Sequence, residues 1–127
     1  MEQYLIDTNV VSKYFSSSLH EAAMQFMDKV FDAVPNLSVI TQIELLCWKV
    51  EEDIEQEISN FLSDSIVLDI SQKVIENCVK IRKGRKIKTP DAIIAASAIA
   101  YGYTLITNNE KDFSNIKGLK VINPKTL

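Results

Sequence analysis

Short apolar runs that recur between helix-like segments constrain this chain more than any other feature. Residues 3–6, Leu37-Ser38-Val39-Ile40, Ile66-Val67-Leu68, "YTLIT" at 103–107 and "LKVI" at 119–122 each read as a short strand. Residues 8–15, 19–34, 41–50, 53–62, 71–83 and 90–101 lie between them and space their apolar residues as helices do. In 19–34 the apolar face is Ala22, Ala23, Phe26, Met27, Val30 and Phe31. In 71–83 it is Val74, Ile75, Cys78, Val79 and Ile81. A strand whose successor lies beyond a helix must return by a crossover, and crossovers join parallel neighbours. The expected fold is therefore α/β, three layers, with a short, mostly parallel central sheet of about 4–5 strands and helices on both faces. "PDAIIAASAIAY" at 90–101 is apolar almost all the way round and should lie buried. Pro35-Asn36 breaks one helix, and Gly84 is expected to stop another in the left-handed conformation.

At 127 residues with 46% hydrophobic residues, the chain reads as one domain over 1–127 with a real core and no repeats or linker. The net charge of −3 does not mark a nucleic-acid binder. No apolar run reaches the length of about 18 residues that a membrane span needs. The N-terminus lacks the basic-then-apolar pattern of a signal peptide. Cys47 and Cys78 form no ligand-type pair, and both sit in apolar helical patterns. They read as reduced, buried thiols of a cytoplasmic protein.

Four acids stand out by position. Open α/β sheets bind ligands beyond the carboxyl ends of their strands. Asp7 directly follows the first strand, and Glu44 lies a helical turn after the second. Asp112 follows "TLIT" by a few residues, and Asp91 opens the alanine-rich helix. Each also has an ordinary explanation. Asp7 suits a helix cap. Thr41-Gln42-Ile43-Glu44 reads as a capping box with Thr41 as N-cap. Thr89-Pro90-Asp91 is a good helix start, and Asp112 suits a solvated loop. Together these explanations weaken, because caps do not require acids where Ser or Asn would serve. Carboxylates are the oxygen ligands that a hard divalent cation takes, and such a cation can drive phosphodiester hydrolysis.

Competing chemistries find little support. His20, the sole histidine, lies in a polar turn. No Ser or Cys has a recognisable base partner, and no glycine-rich phosphate loop is present. "KIRKGRKIK" at 80–88 carries six of the fourteen Lys and Arg and runs into Asp91. Arg82, Lys83, Arg85 and Lys86 are candidate contacts to a polyanion, though cations at a helix C-terminus also favour its dipole. The acidic run "EEDIEQE" at 51–57 reads as a solvated helix face. In "LLCWKV", Leu45 and Trp48 are expected off the face made by Ile43, Leu46 and Cys47, as an apolar patch for a partner or as core.

The set "YLIDTNVV", "TQIELL" and "TPDAIIAASAIAYGYTLITNNEKDF" resembles the PIN-domain family, and more narrowly the VapC-type toxins of toxin–antitoxin pairs. The resemblance covers nearly the whole chain, and residues 89–113 are its most specific part. It implies an endoribonuclease that uses Mg²⁺ or Mn²⁺ held by Asp7, Glu44, Asp91 and Asp112. Thr8, Asn9, Thr107 and Asn109 match the family's supporting polar positions. A homodimer and a small antitoxin that covers the acid site are implied as partners. Two alternatives stay open: a PIN-like RNA- or partner-binding module with weak or no activity, and a Mg²⁺-dependent phosphatase. The latter would want an acid where Asn9 stands.

Overall fold

Residues 2–127 are described by a computed structural model. In chain order the elements are β1 (Tyr4–Ile6), α1 (Thr8–Phe15), α2 (Glu21–Asp32), β2 (Asn36–Ser38), α3 (Val39–Leu46), α4 (Glu52–Ser63), β3 (Ile66–Leu68), α5 (Gln72–Gly84), α6 (Thr89–Tyr101), β4 (Thr104–Ile106), α7 (Glu110–Phe113) and β5 (Val121–Ile122), then a 3₁₀ turn at Pro124–Thr126. The five strands form one sheet in the order β3-β2-β1-β4-β5, and every neighbouring pair is parallel. The first three strands step outward in one direction. The chain then crosses back to lay β4 on the other side of β1. Strand order thus reverses between β1 and β4, the kind of switch point where open α/β sheets bind ligands at their carboxyl ends.

Pleating sorts the core into two halves. Leu5 pairs with Leu105, and both face a cluster with Val74, Cys78 and Ile81 of α5 and the buried alanines of α6. Ile6 pairs with Ile106, and both face the other cluster, with Val10, Val11, Met27, Val30, Leu45, Ile58 and Leu62 from α1 to α4. Ala92, Ala95, Ala96 and Ala98 are fully buried. Their small side chains let α6 lie close to the sheet with α5 packed beside it.

Several expected boundaries shift for identifiable reasons. The second strand covers Asn36–Ser38, not 37–40, and α3 starts at Val39. Ser38 is its cap, with Oγ accepting the Ile40 N–H at 3.1 Å. Thr41 is therefore not an N-cap and sits buried inside α3. Lys88, not Thr89, precedes the first helical residue of α6. The helix expected over 19–34 runs from Glu21 to Asp32, and Ala22 of its expected face is exposed. Gly84 is the last residue of α5 and has no positive φ, because the chain leaves the helix through an extended Arg85. The left-handed helix stop is Gly102, with φ of 72° after α6. In α3 and just past it, Leu45 is buried and Trp48 packs on the core, the second of the two alternatives expected for them, whereas Ile43, Leu46 and Cys47 of the expected apolar face are exposed. Cys47 is thus not the buried thiol expected; Cys78 is. His20 Nε2 lies 2.8 Å from the carbonyl oxygen of Leu127. Among the described residues no helix is long and apolar enough to cross a membrane.

Candidate active site

Asp7 both caps a helix and enters a buried polar cluster. Its N–H donates to the Ile106 carbonyl at 2.9 Å, which locks the exit of β1 beside that of β4. Its Oδ1 accepts the Thr8 N–H at 2.9 Å, starting α1, and its Oδ2 accepts the Thr107 hydroxyl at 2.8 Å. The residue is only 4% exposed. Burial pushes its carboxyl up to about 6; the Thr107 and Thr8 hydrogen bonds oppose that rise, while the charges of Asp91 and Glu44 add to it.

The same pattern extends outward. The Thr107 hydroxyl oxygen accepts the Asn109 N–H at 3.0 Å. Asn109 caps α7: its Oδ1 accepts the Asp112 N–H at 3.2 Å, and its Nδ2 donates to Asp112 Oδ2 at 2.8 Å. Asp112 therefore stands on a short helix, not in a free loop, and a chain of hydrogen bonds runs from Asp7 through Thr107 and Asn109 to it. On the other side of Asp7, the Thr8 hydroxyl donates to Glu44 Oε1 at 2.6 Å and lies 3.0 Å from the buried Thr41 hydroxyl. Asp91 occupies the first turn of α6, partly buried. Burial raises its pKa most, then the charges of Asp112 and Glu44, with Lys88 opposing. Asp7 and Asp91 thus both feel the charges of other acids at the carboxyl end of the sheet. Asn9 is exposed, and no side-chain hydrogen bond ties it to them.

Two further polar residues of these segments were not read as part of a site in the sequence. Thr41 supports Thr8, and its spacing of three from Glu44 on a helix is the signal that puts it on the same face. Asn108, between Thr107 and Asn109, buries both carboxamide polar atoms without a protein partner. A buried amide in that state calls for a polar companion of another kind.

The basic stretch divides. Arg82 Nε donates to the Ile87 carbonyl at 3.1 Å. Arg85 Nη1 donates to the Ser114 carbonyl at 2.7 Å and Nη2 to the Lys111 carbonyl at 3.5 Å. Lys83 and Lys86 are exposed, with no side-chain partner among the described residues.

The donor set is all oxygen and negatively charged, and Asn108, next in the chain to Thr107, holds an unpartnered buried carboxamide. That chemistry fits a hard divalent cation. As the side chains stand, however, no three His, Cys, Asp or Glu among the described residues form a set that could hold an ion. Asp7, Glu44 and Asp112 instead turn oxygens toward Thr8, Thr107 and Asn109.

Fold and site together define an α/β protein whose topological switch point is lined by acids. The family model described as PIN domain matches residues 4–119. The chain belongs to the PIN-domain family. Over 36 residues it is 56% identical to Ribonuclease VapC1 of Rickettsia felis, a match that spans 28% of this chain and only 27% of that protein. A chain of a toxin–antitoxin complex from Klebsiella pneumoniae is 34% identical, with a TM-score of 0.76 over 96% of this chain and 98% of that one. A chain of VapBC2 from Rickettsia felis, bound to a DNA fragment from their promoter, is 26% identical, with a TM-score of 0.77 over 94% and 97%.

Proposed function

We propose that this chain is a cytoplasmic, divalent-metal-dependent endoribonuclease and the toxin of a toxin–antitoxin pair. The observation that carries the reading is the acid cluster: Asp7, Glu44 and Asp112, from three separate segments, are linked through Thr8, Thr107 and Asn109, and Asp91 stands near enough for its charge to act on Asp7. The 34% identity to a chain of a toxin–antitoxin complex supports the biological setting, and the ribonuclease relative supports RNA as substrate.

In this reading Asp7, Glu44, Asp91 and Asp112 hold Mg²⁺ or Mn²⁺. Such an ion supplies charge neutralisation on the phosphate and an activated water. The chain's own residues do the rest. Thr107 and Asn109 fix the carboxylates of Asp7 and Asp112, and Thr8, backed by Thr41, fixes that of Glu44. Lys83 and Lys86, both free, attract the RNA backbone. Partners follow from the same reading: RNA as substrate, a small antitoxin over the acid site and a second copy of the chain.

A second reading has one observation in its favour. Asp7, Glu44 and Asp112 already accept internal hydrogen bonds, as they would in a PIN-like module that binds RNA or a partner without cutting. Labelled RNA incubated with the protein in Mg²⁺, Mn²⁺ or EDTA separates the two, and a phosphate monoester serves as control for a phosphatase. Cleavage is expected only with metal. Asp91→Asn keeps the helix start but removes a ligand charge. It should lower the rate roughly a hundredfold or more, since even residues behind a metal ligand are worth about 10–100-fold. Cleavage by Asp91→Asn at the wild-type rate would remove Asp91 from the site, and no cleavage of any RNA by the wild type would favour the binding module.

A further inference from the structure

We infer that Arg85 is a positioning residue for Asp112 and not a contact to the substrate backbone, an inference that rests on the nuclease reading above. From its place in "KIRKGRKIK", Arg85 is expected to meet RNA phosphate. Its guanidinium is instead directed at protein carbonyls. Nη1 donates to Ser114 at 2.7 Å, and Nη2 reaches Lys111 at 3.5 Å. These oxygens lie in the last turn of α7 and just past it, where a helix leaves carbonyls unpaired and its dipole favours a cation. Helix α7 spans only Glu110–Phe113, too short to be stable from its own hydrogen bonds. Asp112 sits between the two carbonyls that Arg85 holds.

The acid is thus fixed from both ends of its helix. Asn109 binds the carboxylate and caps the first turn, while Arg85 clamps the far end to the segment that joins α5 to α6. The same joining segment leads directly into Asp91. Arg85 therefore ties the helix that carries Asp112 to the segment that leads into Asp91. Its planar, forked guanidinium suits two carbonyls at once, and a lysine ammonium can replace only part of that geometry. Extended backbone at Arg85, directly after Gly84, turns the side chain out of the line of α5.

The test compares wild type, Arg85→Ala, Arg85→Lys, Asp112→Asn, the Arg85→Ala/Asp112→Asn double variant and Lys83→Gln/Lys86→Gln. Steady-state RNA cleavage, Mn²⁺ titration by calorimetry without RNA, and amide hydrogen exchange are measured on each. Arg85→Ala is expected to lower kcat by about 10–100-fold and to weaken Mn²⁺ binding, with KM within about twofold of wild type. Arg85→Lys should recover part of that loss. In the Asp112→Asn background, Arg85→Ala should add little, because the two residues act as one unit. Lys83→Gln/Lys86→Gln should do the reverse, raising KM and reducing the salt dependence by up to about one unit of log slope per lost phosphate contact.

A rise in KM with kcat intact for Arg85→Ala, or full multiplicative losses in the double variant, returns Arg85 to the RNA surface and overturns the inference. The exchange arm separates this outcome from failure of the nuclease reading. If the wild type neither cuts RNA nor binds Mn²⁺, that reading fails. Arg85 is then judged on the amides of Phe113 and Ser114, which pair with Asn109 and Glu110. Faster exchange there in Arg85→Ala, with the β1 and β4 amides unchanged, supports the clamp; unchanged exchange overturns it.

Discussion

Asp7 carries two demands that pull against each other. As a cap it needs an acceptor for the Thr8 N–H, which Asn supplies about as well as Asp. As a buried carboxylate near Asp91 and Glu44 it raises the energy of the charged form. With its carboxyl at about 6 against 3.8 for the free side chain, the folded chain keeps a proton that the unfolded chain releases. The Asp7 contribution to stability is therefore full below about pH 4, falls as pH rises through the window between the two values, and levels off above. The total loss is of the order of 3 kcal/mol. In EDTA at pH 7.5, Asp7→Asn should melt several degrees above the wild type, and the gap should close by pH 4. Millimolar Mn²⁺ should raise the wild-type melting temperature and raise that of Asp7→Asn less. Thermal unfolding across pH, with and without metal, checks both, and a lower melting temperature for Asp7→Asn in EDTA at pH 7.5 would show that its carboxylate is worth more as a hydrogen-bond acceptor than it costs as a buried charge. The sequence revealed the four acids because acids at strand exits are conspicuous. It did not reveal Thr41 or Asn108. Hydroxyl and amide side chains occur in any turn or cap, and only three-dimensional burial separates a supporting hydrogen bond from an ordinary one.

At the scale of elements, periodicity located every major helix and strand, whereas the ends were decided by single hydrogen bonds. Val39 and Ile40 are β-branched and suit a strand. The Ser38 hydroxyl nevertheless recruits Ile40 into a helix, a choice invisible to apolar spacing. The short helix carrying Asp112 was also unreadable, because a single turn has no periodicity to detect. The two helix-terminal glycines give a paired test. Gly102 has φ of 72°, where a Cβ is strained, so Gly102→Ala should cost about 1 kcal/mol. Gly84 lies inside the last turn of α5 with open space where a Cβ would stand, so Gly84→Ala should stabilise by roughly 0.4–1 kcal/mol. The two melting temperatures should move in opposite directions by a few degrees. Destabilisation by Gly84→Ala would mean that α5 does not continue through this residue.

The whole molecule presents an unequal surface. The crossover that creates the switch point leaves β3 as an edge strand, and Ile66 on it is 50% exposed. Helix α3, which packs against β3, exposes Ile43 at 53% and Leu46 at 57%. Ile70 and Ile75, just beyond β3 in the chain, are exposed as well. Helix α3 and the β3 edge it packs against therefore carry apolar side chains that the core does not use. We propose that Ile43 and Leu46 of α3, with Ile66 on the β3 edge, join two copies of the chain; a standard interface of that kind buries about 1,600 Å² in total. Leu46→Glu combined with Ile43→Gln should shift the protein from dimer to monomer in sedimentation velocity. Thermal unfolding at low concentration should change little, since neither side chain is buried within a single chain. The Leu45→Ala variant is the control from the opposite face of the same helix. Leu45 fills the core beside Met27 and Leu37, so its truncation should cost about 2–5 kcal/mol irrespective of association. If the wild type sediments as a monomer at all concentrations, this surface does not join two copies, and the antitoxin becomes the partner to test on it. If Leu46→Glu/Ile43→Gln remains dimeric, the copies meet through another face, and the β3 side returns to being ordinary exposed apolar surface.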